Sequence, residues 1–289
     1  MPRSDTSPPA GTEDRRIAVR GDTLAVWDRP GDRLPFVLLH GNGCSKEAFR
    51  ALFDADALAE HRLVAFDLPG CGQSSDAAAP ETTYSLPGLA DLAVDAVAAL
   101  GVGRHVLLGW SLGGHVAIET ILHGSRAAGI VLTGTPPCGP DPAEIGATFL
   151  PVPGAEFMTA ENPSAETRAA FAKTVYAPAA PGAALAQACE RADGKLRKYF
   201  FGYVFAHPEL EPQRMTVANW PRPIALVQGP HEPFFDPKAL DGMAWGNLWR
   251  GGTQWIEGAG HAPHVSHPQT YARVLAAFAE DLVGADAQS

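Results

Sequence analysis

The sequence predicts an α/β fold, with a mostly parallel central sheet flanked by helices. Three observations predict it. Short, mostly apolar runs recur at residues 36–39, 62–66, 105–108, 129–133 and 223–228, as expected of strands buried on both faces. Helix-compatible stretches alternate with these runs, the order of a parallel sheet with crossover helices. The 289 residues, 46% hydrophobic and 19% charged, suit one large globular domain with room for an insert.

Residues 1–16 are polar and rich in Pro, Ser, Thr and charge, without the apolar centre of a secretory signal. They are expected to form a disordered tail. Residues 17–27 alternate enough for an early strand or hairpin, and Pro30-Gly31-Asp32 is a turn. After the strand at 36–39, residues 46–53 are helix-like. The strand at 62–66 ends at Asp67-Leu68-Pro69-Gly70. Residues 86–100 place Leu89, Leu92, Ala93, Ala96, Val97 and Leu100 at helical spacing, and Gly101 stops that helix. From about residue 136 to 221 the rhythm breaks. This stretch is rich in Pro, Ala and aromatics, with helical pieces near 164–176 and 183–203, and it reads as a cap. The β/α rhythm returns with the run at 223–228, a helix at 237–243, a strand at 253–256 and a last helix at 268–283. The expected division is a tail (1–16), a core in two parts (17–135 and 222–289) and a cap (136–221).

The net charge of -10 argues against a nucleic-acid partner. No apolar stretch is long enough to span a bilayer, so no membrane partner is expected. Cys44, Cys71, Cys138 and Cys189 lack metal or disulfide spacing. They read as free thiols of a protein in the cytoplasm. The sequence leaves the oligomeric state open.

Gly109-Trp110-Ser111-Leu112-Gly113-Gly114 carries the chemistry. It joins the apolar run at 105–108 to a helical run at 115–122, so Ser111 stands at the apex of a strand–turn–helix. This G-x-S-x-G context suits an activated serine, because glycines permit a turn too tight for a Cβ. A serine hydroxyl needs a base, and the base needs an orienting carboxylate. His261, on a glycine-rich loop after the strand at 253–256, is the candidate base. Glu232, just past the run ending at Gln228, is the candidate carboxylate, with Asp236 and Asp141 as competitors. The backbone N–H groups of Leu112 and Asn42 are the candidate oxyanion donors. His40 reads as a loop-bracing residue. His264 and His267 stand near His261, but Pro263 and Pro268 oppose a regular helix there and no Cys or carboxylate completes a metal set. They read as loop packing and solvent contact, and no metal or cofactor is expected. The substrate-binding candidates are Asn42, Trp110, Phe149, Phe171 and Tyr176. The further cap aromatics Phe157, Phe200, Phe201 and Tyr203, with Met158, are candidates for lining an acyl-chain tunnel or packing cap on core.

His40-Gly41-Asn42-Gly43, Asp67-Leu68-Pro69-Gly70-Cys71-Gly72-Gln73-Ser74 and Gly260-His261, taken with Ser111, Glu232 and His261 in that order, resemble the α/β-hydrolase superfamily. A narrower likeness rests on five stretches. They are Gly109 to His115, Thr133-Gly134-Thr135-Pro136-Pro137, Glu232-Pro233-Phe234, Gly246-Asn247-Leu248-Trp249 and Gly260-His261-Ala262-Pro263. These look like the α/β-hydrolase type of N-acyl-homoserine lactonase, the AidH type. That likeness implies a metal-independent Ser-His-Glu relay, a small acyl substrate, lactone-ring opening through an acyl-enzyme, and a quorum-quenching role. It favours Glu232 over Asp236. The match is weakest in the cap, where Phe171 stands in place of that type's substrate-facing tyrosine. A carboxylesterase or thioesterase would use the same parts. A ligand-binding protein on the same scaffold is the alternative from another class.

Overall fold

A computed structural model describes residues 6–286. Among these residues eight strands form one sheet. They are β1 (Glu13–Val19), β2 (Asp22–Arg29), β3 (Arg33–Leu39), β4 (His61–Phe66), β5 (His105–Trp110), β6 (Ala127–Thr133), β7 (Ile224–Gln228) and β8 (Gln254–Trp255). Their order is β1-β2-β4-β3-β5-β6-β7-β8. The two pairings of β2 are antiparallel, and every pairing from β4 to β8 is parallel.

The apolar runs become the middle of the sheet for the expected reason. Every residue of β5, β6 and β7 is buried, as are Phe36 to Leu39 of β3. Each fully buried Leu or Val there contributes about 1.5–3 kcal/mol of hydrophobic stabilisation. Covering helices supply the rest of that burial. The helix Leu86–Ala99 turns Leu89, Leu92, Ala93, Ala96 and Val97 inward, and the Ser85 hydroxyl caps its start by accepting from the Gly88 N–H. The helix Pro268–Asp286 buries Tyr271, Leu275, Phe278 and Leu282.

Three expectations need correction. β1 begins at Glu13, so residues 13–16 of the expected tail are a paired strand, and Arg15 bonds Asp28 of β2 at 2.6 Å. The strand is mostly polar because it lies at the sheet's edge with half its face in water. Residues 1–5 of that tail lie outside the described residues. The strand expected at 253–256 shortens to β8, and residues 237–242 form a 3₁₀ helix.

The chain leaves β3 for β4 on one side and returns to β5 on the other. Strand order therefore reverses at β3, with Leu39 paired beside Gly109. Such a reversal opens a crevice at the carboxyl ends of the strands, where ligands bind in open α/β sheets. The oxyanion-loop and elbow sequences both emerge at this point.

Between β6 and β7 the chain makes five α-helices, Pro142–Thr148, Ala165–Tyr176, Ala183–Arg191, Gly194–Ala206 and Gln213–Asn219, and one 3₁₀ helix, Ala155–Met158. This insert is tied down over the strand ends. The Asp193 N–H donates to the Gly70 carbonyl at 2.7 Å, and the Tyr84 hydroxyl donates to Asp193 Oδ2 at 2.9 Å. Among the described residues no helix is long and apolar enough to cross a membrane.

Candidate active site

Ser111 sits between β5 and the helix Leu112–Glu119 with φ +56° and ψ -121°, a conformation that costs a non-glycine residue about 1–3 kcal/mol. Its neighbours hold it there. A Cβ on Gly109 would lie 2.4 Å from the Gly113 carbonyl oxygen, and one on Gly113 would lie 2.2 Å from that of Leu39. Only glycine fits at either place. The Ser111 N–H donates to the Thr133 carbonyl at 2.9 Å, and Thr135 Oγ1 donates to the Ser111 carbonyl at 3.0 Å. Both threonines stand at the end of β6, so the adjacent strand braces the turn.

His261 is brought beside Glu232. Its Nδ1 lies 2.8 Å from Glu232 Oε2 and 3.0 Å from Oε1. Glu232 Oε1 also accepts from the Phe234 N–H at 2.9 Å. A carboxylate only accepts, so Nδ1 is the donor in this contact and Nε2 is the ring nitrogen left for another partner. Ser111 and His261 border one cavity. The competing carboxylates are engaged elsewhere as helix caps. Asp236 Oδ1 accepts from Lys238 N–H and Asp141 Oδ1 from Ala143 N–H. Replacing Glu232 by Gln keeps the shape and offers the ring an amide in place of a charge. Hydrolysis by Glu232→Gln is expected to fall by about 100- to 10,000-fold in kcat, read from initial ester-cleavage rates.

Sequence reasoning missed the groups that fix this loop. Gln228, wholly buried at the end of β7, accepts from the Gly134 N–H at 2.9 Å and donates to the Leu132 carbonyl at 3.1 Å. Gly134 has φ +62°, and a Cβ on it would meet the His261 ring at 2.6 Å. Trp110 Nε1 donates to the His261 carbonyl at 2.8 Å, which ties the residue before Ser111 to the imidazole's own backbone. A polar residue ending a buried strand was the available signal for Gln228.

The candidate oxyanion loop, residues 40–43, follows β3. His40 is buried, and its Nε2 accepts from the Leu68 N–H at 3.0 Å. The proton therefore lies on Nδ1, which donates to the Gly41 carbonyl at 2.9 Å. Burial holds the pKa of this imidazole below the ordinary histidine value, so it braces the loop as a neutral group. A Cβ on Gly41 would lie 3.0 Å from Ser111 Cβ, which shows how closely the loop approaches the elbow. Asn42 borders the cavity, and its Nδ2 donates to the Met158 carbonyl of the insert at 3.2 Å. Leu112 heads its helix, so its N–H has no acceptor one turn back.

Below the loop lies a buried charge cluster that sequence reasoning read as an ordinary helix start. Lys46 Nζ donates to Asp67 Oδ2 at 2.9 Å, Gln73 Oε1 at 3.0 Å and Glu47 Oε1 at 3.2 Å. Asp67 also accepts the backbone N–H groups of Lys46 (2.7 Å) and Gln73 (2.8 Å).

The cavity wall is largely apolar. Phe149, Met158, Phe171, Phe200 and Phe201 come from the insert, and Leu86, Leu112 and Phe234 from the rest of the chain. Phe171 stacks on Phe157 with ring centroids 4.4 Å apart. Two expected substrate contacts, Trp110 and Tyr176, need correction, and two of the tunnel candidates, Phe157 and Tyr203, pack instead of lining the cavity. Trp110 and Phe157 are wholly buried and Tyr176 is 1% exposed, and none borders the cavity. Tyr176 instead directs its hydroxyl to Cys44 Sγ at 3.3 Å. Tyr203 lies outside the lining and packs on His207. Among the described residues no group of three or more His, Cys, Asp or Glu is placed to hold a metal ion.

His264 also departs from expectation. It is wholly buried, not in contact with solvent, on a single helical turn, Pro263–Ser266, that Pro263 starts. Phe49, Trp110 and Tyr271 surround it, and among the described residues neither ring nitrogen has a partner. Burial lowers its pKa from 6.5 to about 3. The folded state thus resists a proton that the unfolded chain accepts. The stability is whole above about pH 6.5 and is lost as the pH falls toward 3, by about 1.4 kcal/mol per pH unit. His264→Phe is expected to give a shallower acid limb, by about 2 kcal/mol between pH 7 and pH 5. Urea unfolding at the two pH values measures it.

A family model described as the alpha/beta hydrolase family matches residues 36–274. A pimeloyl-[acyl-carrier protein] methyl ester esterase of Edwardsiella ictaluri is 27% identical, covering 84% of this chain and 92% of that one. Its namesake in Yersinia pseudotuberculosis is 29% identical, covering 85% and 93%. Among solved structures, a mutant of the N-acyl homoserine lactonase AidH complexed with N-hexanoyl homoserine superposes with a TM-score of 0.88. It is 32% identical, covering 94% of this chain and 97% of that one. An esterase from Rhodococcus sp., 22% identical with a TM-score of 0.75 and covering 94% and 99%, shares the fold. With a family model spanning most of its length and a strand–turn–helix at Ser111, the chain belongs to the alpha/beta hydrolase family and is a serine hydrolase of carboxylic esters or lactones.

Proposed function

We propose that this hydrolase opens the ring of N-acyl-homoserine lactones, using Ser111, His261 and Glu232 as its relay. The observation that carries the reading is the full-length likeness to AidH, at 32% identity, joined to an apolar cavity that ends on Ser111. In this reading Ser111 Oγ attacks the lactone carbonyl while His261 Nε2 takes its proton. The N–H groups of Asn42 and Leu112 receive the oxyanion, each donor worth about 3 kcal/mol in the transition state. The ring C–O bond breaks and His261 returns the proton to the departing oxygen, which stays tethered to the acyl group. Water, deprotonated by His261, then attacks the acyl-enzyme and releases the open hydroxy acid. Glu232 stabilises the imidazolium in both steps. The insert, residues 136–221, serves as the cap that keeps the acyl chain dry. Four unpaired cysteines fit a cytoplasmic setting.

Hydrolysis of a methyl ester is the second reading, favoured by the Edwardsiella and Yersinia relatives. The two separate in one assay. Purified protein is given a series of N-acyl-homoserine lactones, simple p-nitrophenyl esters and monomethyl esters of dicarboxylic acids, at matched concentrations. Lactone opening with the highest kcat/KM is the expected result. Turnover of esters with every lactone left intact would remove the lactone reading and leave the esterase one.

A further inference from the structure

One helical turn beyond Ser111, on the helix that Ser111 precedes, stands His115, which borders the cavity. Neither the relay nor the oxyanion donors use it. Its environment fixes which of its nitrogens is the acceptor. Gln213, buried at the start of the insert's last helix, places Nε2 2.8 Å from the His115 carbonyl and Oε1 2.6 Å from His115 Nδ1. A carbonyl only accepts, so the amide nitrogen of Gln213 must face it, and the amide oxygen must then face the ring. Oxygen opposite Nδ1 requires the proton on Nδ1. The neutral ring therefore presents Nε2 as a bare lone pair. Among the described residues Nε2 has no partner. Burial lowers the His115 pKa, which keeps the ring in this neutral form. Gln213 is itself held, since its N–H donates to the Cys138 carbonyl at 3.0 Å.

Much of the lining nearby is apolar, with Leu86, Ile145, Phe200, Val204 and Leu210 among it. A polar acceptor in such a wall favours ligands that bring a donor and opposes those that bring another lone pair. We infer that His115 is a specificity residue that reads a hydroxyl on the acyl part of the substrate. The inference rests on the reading that Ser111 attacks the substrate's carbonyl. His115 stands one helical turn, about 5.4 Å, beyond Ser111, so the hydroxyl it reads lies along the acyl part, taken as about six bonds from the attacked carbonyl carbon. In an N-acyl-homoserine lactone this is a 3-hydroxyacyl chain. A 3-oxo chain puts lone pair against lone pair and is the disfavoured case.

The test compares lactones of one chain length with unsubstituted, 3-hydroxy and 3-oxo acyl groups. Beside them run two p-nitrophenyl esters, the hexanoate and the 6-hydroxyhexanoate. Only ratios of kcat/KM within one protein are read, so a general loss of rate in a variant does not matter. The hydroxylated substrate is expected to exceed its plain counterpart by about five-fold, the worth of one ordinary hydrogen bond, and to exceed the 3-oxo substrate by more. His115→Phe brings the hydroxyl ratio to about one. Gln213→Leu lowers it too, by releasing the tautomer, and serves if His115→Phe does not fold. A wild-type ratio of one or less, or a ratio untouched in the variants, overturns the inference. Lactones decide where they are turned over, and esters where they are not. Esters that show the preference beside inert lactones would keep the role of His115 and sink the lactone reading. Lactones opened without regard to the hydroxyl would do the reverse, and no turnover of either series would sink both.

Discussion

Ser111→Ala is expected to lower kcat/KM by at least about 10,000-fold, on esters and lactones alike, with the fold intact. That corresponds to about 5.5 kcal/mol of transition-state stabilisation. The size follows from the chemistry, because removing the nucleophile stops covalent catalysis and leaves only binding and the oxyanion donors. Little else should change, since the hydroxyl caps no helix and the brace at Ser111 uses its backbone N–H and carbonyl. Rates with purified wild type and variant, beside urea midpoints for both, make the measurement. A variant within tenfold of wild type would end the role given to Ser111.

Lys46→Met is expected to cost about 3–5 kcal/mol of stability. The ammonium group is fully buried and satisfies Asp67, Glu47 and Gln73 together. Methionine fills the volume of the stem and leaves Asp67 as an uncompensated charge in a dry site. Removing the carboxylate as well, in Lys46→Met with Asp67→Leu, is not expected to restore stability. Asp67 also receives two backbone N–H groups, which a leucine would orphan. Urea midpoints at constant m-value give both answers. A single variant within about 1 kcal/mol of wild type would show that water reaches the cluster or that Asp67, whose pKa burial raises, takes up a proton.

The two predictions differ in how visible their residues are before folding. Ser111 announces itself through local geometry, because the glycines at 109 and 113 serve the turn they sit in. The parallel strands are legible for a similar reason, since burial on both faces leaves a continuous apolar run. Lys46 looks like any charged residue at a helix start, and two of its three partners lie 21 and 27 residues away in sequence. The start of β1, residues 13–16, was hidden because an edge strand with one wet face has the composition of a tail. The carboxylates were separable only in part. Asp236 and Asp141 precede proline-initiated helices, a capping signature, whereas the placing of Glu232 against His261 depends on two distant loops. Aromatics were the least legible. Trp110, Phe157 and Tyr176 pack inward while Phe149 and Phe171 reach the cavity, and that choice belongs to how the insert lies on the sheet, not to residue type.

The insert is one continuous stretch spliced between two neighbouring strands, while the residues proposed to act on the carbonyl follow β3, β5, β7 and β8. Selection can therefore exchange most of the roof in a single segment without disturbing the floor. Descendants of such a chain should diverge fastest in what they accept and slowest in what they do to it.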